Sequence, residues 1–190
     1  MAARFWGEIR RYPRAIPVVA AVGVLWAIWV SGPGPLTPAV VAFAAIGAAL
    51  LVIDIRQHRL PNALVFPLLG ITVVLIGTAG ILASDVTAVA RALLGGLILG
   101  AGYLVLYLLS PSGLGLGDVK LAPVLGMLAA WYSWVDLALM ALLPFLLGGV
   151  VALALLALRK AGRKTMIAFG PYMLLGAVVV LTWARMAPPA

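Results

Sequence analysis

Apolar residues in this chain come in long runs, and polar residues fall in short clusters between them. A helix that crosses a bilayer needs about 20 mostly apolar residues, with roughly 17–25 the usual range. Seven stretches fit that length: 15–31, 36–54, 62–83, 87–109, 119–134, 136–158 and 166–186. The breaks between runs carry turn chemistry. They include Ser31-Gly-Pro-Gly-Pro35, Leu60-Pro-Asn62, Ser110-Pro-Ser-Gly113 and Arg159-Lys-Ala-Gly-Arg-Lys164. The pattern predicts an all-α fold: a polytopic membrane helix bundle of about seven transmembrane helices.

Composition sharpens this picture. Hydrophobic residues make up 65% of the 190 positions and charged residues 9%. Soluble domains run at roughly 45–50% apolar and about 25% charged. The chain is too short for two sizeable domains, and no linker divides it. It has no cysteine, which excludes disulfides, thiol catalysis and thiolate metal sites. The single His58 rules out a histidine metal cluster, so no metal and no cofactor are expected.

The net charge of +8 bears on topology. Lysines and arginines sit between the apolar runs and form no continuous basic face, which argues against nucleic acid as a partner. With the N-terminus inside, all of the 13 Lys and Arg except Arg91 and Arg185 fall on the cytoplasmic side. That bias follows the positive-inside rule and predicts a multi-pass protein of the plasma (inner) membrane, N-terminus cytoplasmic and C-terminus outside. Membrane lipid is then an obligatory partner. The six Trp mostly lie near the ends of the expected spans, as interfacial anchors do. The first run, though preceded by arginines, lacks a small-residue cleavage site and reads as a retained anchor. Residues Arg4 to Arg14 read as a simple charged flank in preference to an interfacial helix. Gly96 and Gly100 have the spacing of a close helix contact, expected inside the bundle.

Chemistry concentrates on two of the five acidic residues. Asp54 ends the second apolar run. Asp118 follows Gly113-Leu-Gly-Leu-Gly117 and opens the fifth. Ionisable groups at membrane depth are costly and usually mark function. Two spans separate the acids, and an even number of crossings returns the chain to the face it left. Both are therefore expected at the cytoplasmic face, where a compact bundle permits them to meet. Two neighbouring carboxylates share a proton, and such a pair activates water and polarises a carbonyl without metal or side-chain nucleophile. The glycines allow close backbone approach. The plainer readings are a helix cap for Asp118, a solvated loop acid for Asp54 and a flexible turn for the glycines. Lys120 reads mainly as a positive-inside charge. Pro61 and Asn62 read as a helix start with Asn62 as its cap, and His58, Arg56 and Arg59 as a solvated loop.

Three segments carry a family resemblance. They are Asp54-Ile-Arg-Gln-His-Arg-Leu-Pro-Asn62, Gly115-Leu-Gly-Asp-Val-Lys-Leu121, and Phe169-Gly-Pro171 with Leu175-Gly-Ala177. In this order they resemble the type IV prepilin peptidases and related preflagellin peptidases, which are GxGD intramembrane aspartyl proteases. The likeness covers about residues 36–186. It implies an aspartic endopeptidase that removes a short basic leader from pilin-like precursors at the cytoplasmic membrane face. It implies a six-helix protease core in 36–190, with 1–35 as cytoplasmic flank and added anchor helix. Carried over, Asp54 and Asp118 are the catalytic pair. Gly115, Gly117, Lys120, Pro61, Asn62, Gly170 and Pro171 are the supporting positions. Leu60 stands where the family pattern has Ile, and Ala168 where it has Pro. Larger members N-methylate the product and carry paired CxxC motifs. A chain without cysteine is expected to be a short, peptidase-only form. The pattern specifies no oligomeric state.

Two rivals stand beside this expectation. One is a non-enzymatic membrane protein, either a small transporter or an assembly subunit of a pilus or secretion system. Transporters also use intramembrane acids and broken helices, but near the midplane of repeated halves. No repeat is visible here, and both acids lie toward one face. The other is a presenilin-like protease, whose Pro-Ala-Leu motif is absent.

Overall fold

The structure is a computed structural model that describes residues 2–111, 113–158 and 168–186. Among these residues eight helices follow in chain order: α1 (Ala2–Arg10), α2 (Ala15–Ser31), α3 (Thr37–Gln57), α4 (Asn62–Ala83), α5 (Val86–Leu109), α6 (Leu116–Tyr132), α7 (Trp134–Ala157) and α8 (Gly170–Met186). No strand occurs among the described residues. Helices α2 to α8 coincide with the seven expected runs, and the protein is a multi-pass membrane helix bundle. The basic break at 159–164 lies outside the described residues.

Length separates the helices into two groups. Helices α3, α4, α5 and α7 hold 21 to 24 residues and are apolar enough to cross a membrane unaided. Helices α2, α6 and α8 hold 17 each. At 1.5 Å per residue this is about 25 Å, slightly under the roughly 30 Å hydrocarbon core. For α6 the reason is position. It runs through the centre, with Leu121, Ala122 and every residue from Val124 to Ala130 buried, so it needs little lipid contact. Helix α7 is the opposite case. Asp136, Leu137, Met140 and Pro144 are buried, while Leu142, Leu146, Val150 and Leu153 face outward.

The N-terminal flank corrects the sequence expectation. Residues 2–10 form a helix, and it meets α2 at 100°. Phe5 and Ile9 pack on the core, whereas Arg4 and Arg10 are exposed. Glu8 receives a two-oxygen contact from the Arg59 guanidinium, at 2.9 and 3.0 Å. A charged flank becomes helical here because one stripe finds an apolar partner.

Helices approach closely where side chains are small. Lipid removes the hydrophobic drive between helices, so packing and hydrogen bonds must hold them. A Cβ added at Gly96 would lie 2.7 Å from Met127 Cγ, and one at Gly100 would lie 2.8 Å from Pro123 Cγ. The Gly96/Gly100 face therefore seats α6, as expected of internal packing. At Gly176 of α8, a Cβ would meet Pro144 Cγ of α7 at 3.2 Å. Glycine thus faces proline at two helix crossings. Polar ties finish the frame: Trp26 Nε1 donates to Thr182 Oγ1 at 3.1 Å, and Arg91 Nε donates to the Ala130 carbonyl at 2.6 Å. The second satisfies an orphan carbonyl at the C-terminus of α6.

Candidate active site

Asp54 lies in the last turn of α3, where the apolar run of the helix is ending. The chain must then reverse. His58 caps the helix in the left-handed region (φ 50°, ψ 44°), and its N–H donates to the Asp54 carbonyl at 2.8 Å. The turn carries the chain through Leu60 and Pro61 into α4. Pro61 is the extended N-cap, and its carbonyl accepts from the N–H of Leu64 at 2.9 Å and of Val65 at 3.1 Å. Asn62 is therefore the first helical residue and not the side-chain cap the sequence suggested. Its Oδ1 accepts from Lys120 Nζ at 3.0 Å, which ties the start of α4 to the start of α6. Lys120 also sits 5.6 Å from the Phe66 ring centroid.

Asp118 is held by its own helix. Gly115 is the N-cap of α6, and its N–H donates to Asp118 Oδ2 at 3.0 Å, closing a capping arrangement. The helix-cap reading of Asp118 is therefore correct as far as it goes. It leaves Oδ1 of a buried carboxylate outside that cap; Asp118 is 6% exposed and Asp54 4%. Buried carboxylates without basic partners are unusual in a fold held by packing. Among the described residues, the only ion pairs join Glu8 to Arg11 and Arg59.

The two acids belong to one cluster. Leu60, buried in the α3–α4 loop, packs against a glycine beside each of them. A Cβ at Gly117 would lie 2.8 Å from Leu60 Cβ, and one at Gly170 would lie 3.3 Å from Leu60 Cδ2. The same Gly170 position would come 2.6 Å from Asp54 Oδ2, and the Gly170 backbone N–H bonds the Asp54 carboxylate. The N-terminus of α8 thus points at Asp54, a setting that favours a negative group. Pro171 follows in the first turn, where a missing N–H costs nothing. Asp54 lies within coulombic range of Asp118. Gly115 is exposed, Gly117 and Lys120 are half-buried, and Arg56, His58 and Arg59 are exposed at the rim.

The structure therefore gathers Asp54, Asp118, Gly115, Gly117, Pro61, Gly170 and Pro171 at one end of the bundle. Asn62 and Lys120 form a bridge at its edge. Sequence reasoning missed two members of this neighbourhood. Leu60 registers in sequence only as an apolar residue in a polar loop. Tyr103 of α5 lies deep in an apolar run, and no local signal marks it. Among the described residues no three His, Cys, Asp or Glu are grouped to hold a metal.

This fold and site define a class: a multi-pass membrane helix bundle with a buried acid pair at one end. The chain belongs to the Type IV leader peptidase family, whose profile matches residues 41–158. A protein of Stutzerimonas stutzeri named prepilin leader peptidase/N-methyltransferase is 38% identical over 136 residues, covering 71% of this chain and 46% of the relative. The Pseudomonas aeruginosa protein of the same name is 36% identical over the same shares. The Escherichia coli K12 protein of that name is 31% identical over 168 residues, covering 87% of this chain and 72% of the relative. The chain spans about half the length of the first two. No solved structure gives a significant match.

Proposed function

We propose that this protein is an intramembrane aspartyl endopeptidase. In this reading it removes the basic leader from type IV pilin-like precursors at the cytoplasmic face of the inner membrane. One observation carries the proposal: Asp54 and Asp118 are both buried, and Leu60 packs between the glycines beside them. Family membership supports the substrate class, since the relatives above are named for prepilin leaders. Residues 36–190 are the protease domain in this reading, and 1–35 its flank and anchor helix.

The chemistry needs one proton shared by two acids. The ionised carboxylate takes a proton from water as the water oxygen bonds to the scissile carbonyl carbon. The protonated carboxyl gives its proton to the carbonyl oxygen, forming a neutral gem-diol. On collapse the C–N bond breaks. The first acid returns its proton to the departing amine, and the second recovers its own as the C=O bond re-forms. Water is consumed and the dyad is restored.

The test is cleavage of a pilin-like precursor by folded, purified Asp54→Asn and Asp118→Asn proteins. Each substitution keeps size and removes the acid. Each is expected to abolish cleavage, and the double variant to be no worse, since members of one catalytic unit are not additive. Near-normal turnover by either single variant removes the aspartyl reading and favours a transporter or assembly subunit.

A further inference from the structure

Tyr103 is 2% exposed, and its ring sits in an aromatic cluster with Phe145 and Phe169. The ring centroid lies 5.6 Å from that of Phe145 in α7 and 6.3 Å from that of Phe169. Phe169 immediately precedes Gly170, which bonds Asp54. Across α5, Tyr103 sits one turn from Gly100, the residue that seats α6, the helix carrying Asp118. The phenol is within coulombic range of the Asp118 carboxylate. One side chain therefore borders the Asp118 side and the Asp54 side of the site.

Its hydroxyl is unused. Among the described residues it is the only buried side-chain polar atom without a hydrogen-bond partner. Burying a hydroxyl unpaired is unfavourable, and phenylalanine would fill the same aromatic cluster without that cost. The ring is explained by packing against Phe145 and Phe169; the hydroxyl is not. An unpaired donor within reach of Asp118 has a natural acceptor once a peptide enters: the carbonyl oxygen, which gains charge in the transition state. Preorganised donors aimed at such an oxygen are among the largest single contributions to acyl transfer.

We propose that Tyr103 is a third catalytic residue, its hydroxyl donating a hydrogen bond to the scissile carbonyl oxygen as that oxygen takes up charge. The assignment rests on the aspartyl endopeptidase reading above. The hydroxyl adds no proton to the balance: it stabilises the oxygen that the protonated carboxyl goes on to protonate.

The experiment compares full-length Tyr103→Phe with the wild type, purified in detergent. The substrate is a synthetic precursor of a basic leader and its following apolar helix. Removal of one such donor is expected to lower kcat by about 10²- to 10³-fold, with KM within about twofold. The melting temperature should be unchanged or higher, because the lost hydroxyl had no protein partner. Tyr107→Phe, on the same helix, controls for loss of a phenol as such and should cleave normally. A kcat within about threefold of wild type overturns the proposal, as does a rise in KM alone. A melting temperature lowered by more than about 3 °C also overturns it, because the hydroxyl then serves the fold. Asp54→Asn and Asp118→Asn run alongside. If they are dead and Tyr103→Phe is normal, the tyrosine role fails while the dyad stands. If they cleave normally, the dyad and the tyrosine role fail together.

Discussion

His58 occupies a backbone conformation that side chains rarely adopt, and it does so beside an acid. The left-handed turn reverses the chain within a few residues of Asp54, which brings Leu60 and Pro61 back over the site. Glycine suits this position better than histidine, and a β-branched residue suits it worst. His58→Gly is expected to hold or raise the melting temperature. His58→Val is expected to lose about 1–2 kcal/mol in a denaturation measurement. The glycines that touch the acids answer differently. Gly170→Ala places a methyl 2.6 Å from Asp54 Oδ2, so the carboxylate must move. Displacement of about 1 Å in a catalytic group can cost 10²-fold, and cleavage by Gly170→Ala is expected to fall by about that factor. Gly115→Ala meets Asp118 Oδ2 at 3.0 Å from a solvent-exposed cap, where a shift of tenths of an ångström relieves the contact. Its loss should be clearly smaller. Equal rates for Gly170→Ala and wild type would contradict the placement of Asp54.

At the scale of elements, helix α5 shows how one sequence run carries two kinds of glycine. Gly100 faces Pro123, and Gly102 faces open space with nothing within 4 Å of an added Cβ. Gly100→Val overpacks the α5–α6 crossing and is expected to destabilise by about 1–3 kcal/mol. Gly102→Ala adds helix propensity without a clash and is expected to stabilise by up to about 1 kcal/mol. Thermal melts of the two purified variants should therefore move in opposite directions. At the N-terminus of α5, Asp85 is the cap, accepting from the Thr87 hydroxyl and the Ala88 N–H. These bonds, the Thr87 hydroxyl first, hold the Asp85 carboxyl below the usual carboxylate range. The depressed value means that this cap is fully present above the ordinary aspartate range and is lost as pH falls through the folded value. Thr87→Ala should shift that loss to higher pH in an acid melt.

For the whole molecule, the arrangement of helix ends matters most. Six helices from α3 to α8 run alternately, so the end of α3 and the starts of α6 and α8 fall together, with Leu60 touching Gly117 and Gly170. The basic residues near this end, among them Arg56, Arg59 and Lys120, place it in the cytoplasm under the proposed orientation. A reporter that works only outside the cytoplasm should be silent when fused after Arg59 and active when fused after Ser84. The reverse result would invert the orientation and move the acid pair to the outer face. Cleavage should also survive a strong chelator, since a chain with one histidine and no cysteine has few soft metal ligands.

Hydrophobic run length alone determined that this is a multi-pass helix bundle, because a helix in lipid must satisfy its own backbone and span a fixed thickness. It also located, to within a few residues, seven of the eight helices among the described residues, and parity put Asp54 and Asp118 on one face. The short helix α1 was missed, because nine residues carry too little periodicity to separate a helix from a charged flank. What only the tertiary structure decided was contact. That Leu60 packs between Gly117 and Gly170, that the α8 N–H of Gly170 reaches Asp54, and that Tyr103 packs against Phe145 and Phe169 are all long-range facts. Inside an apolar run every face of a helix looks alike, so sequence cannot say which face meets a neighbour. Packing chooses it, through the few glycines and prolines that let two backbones approach.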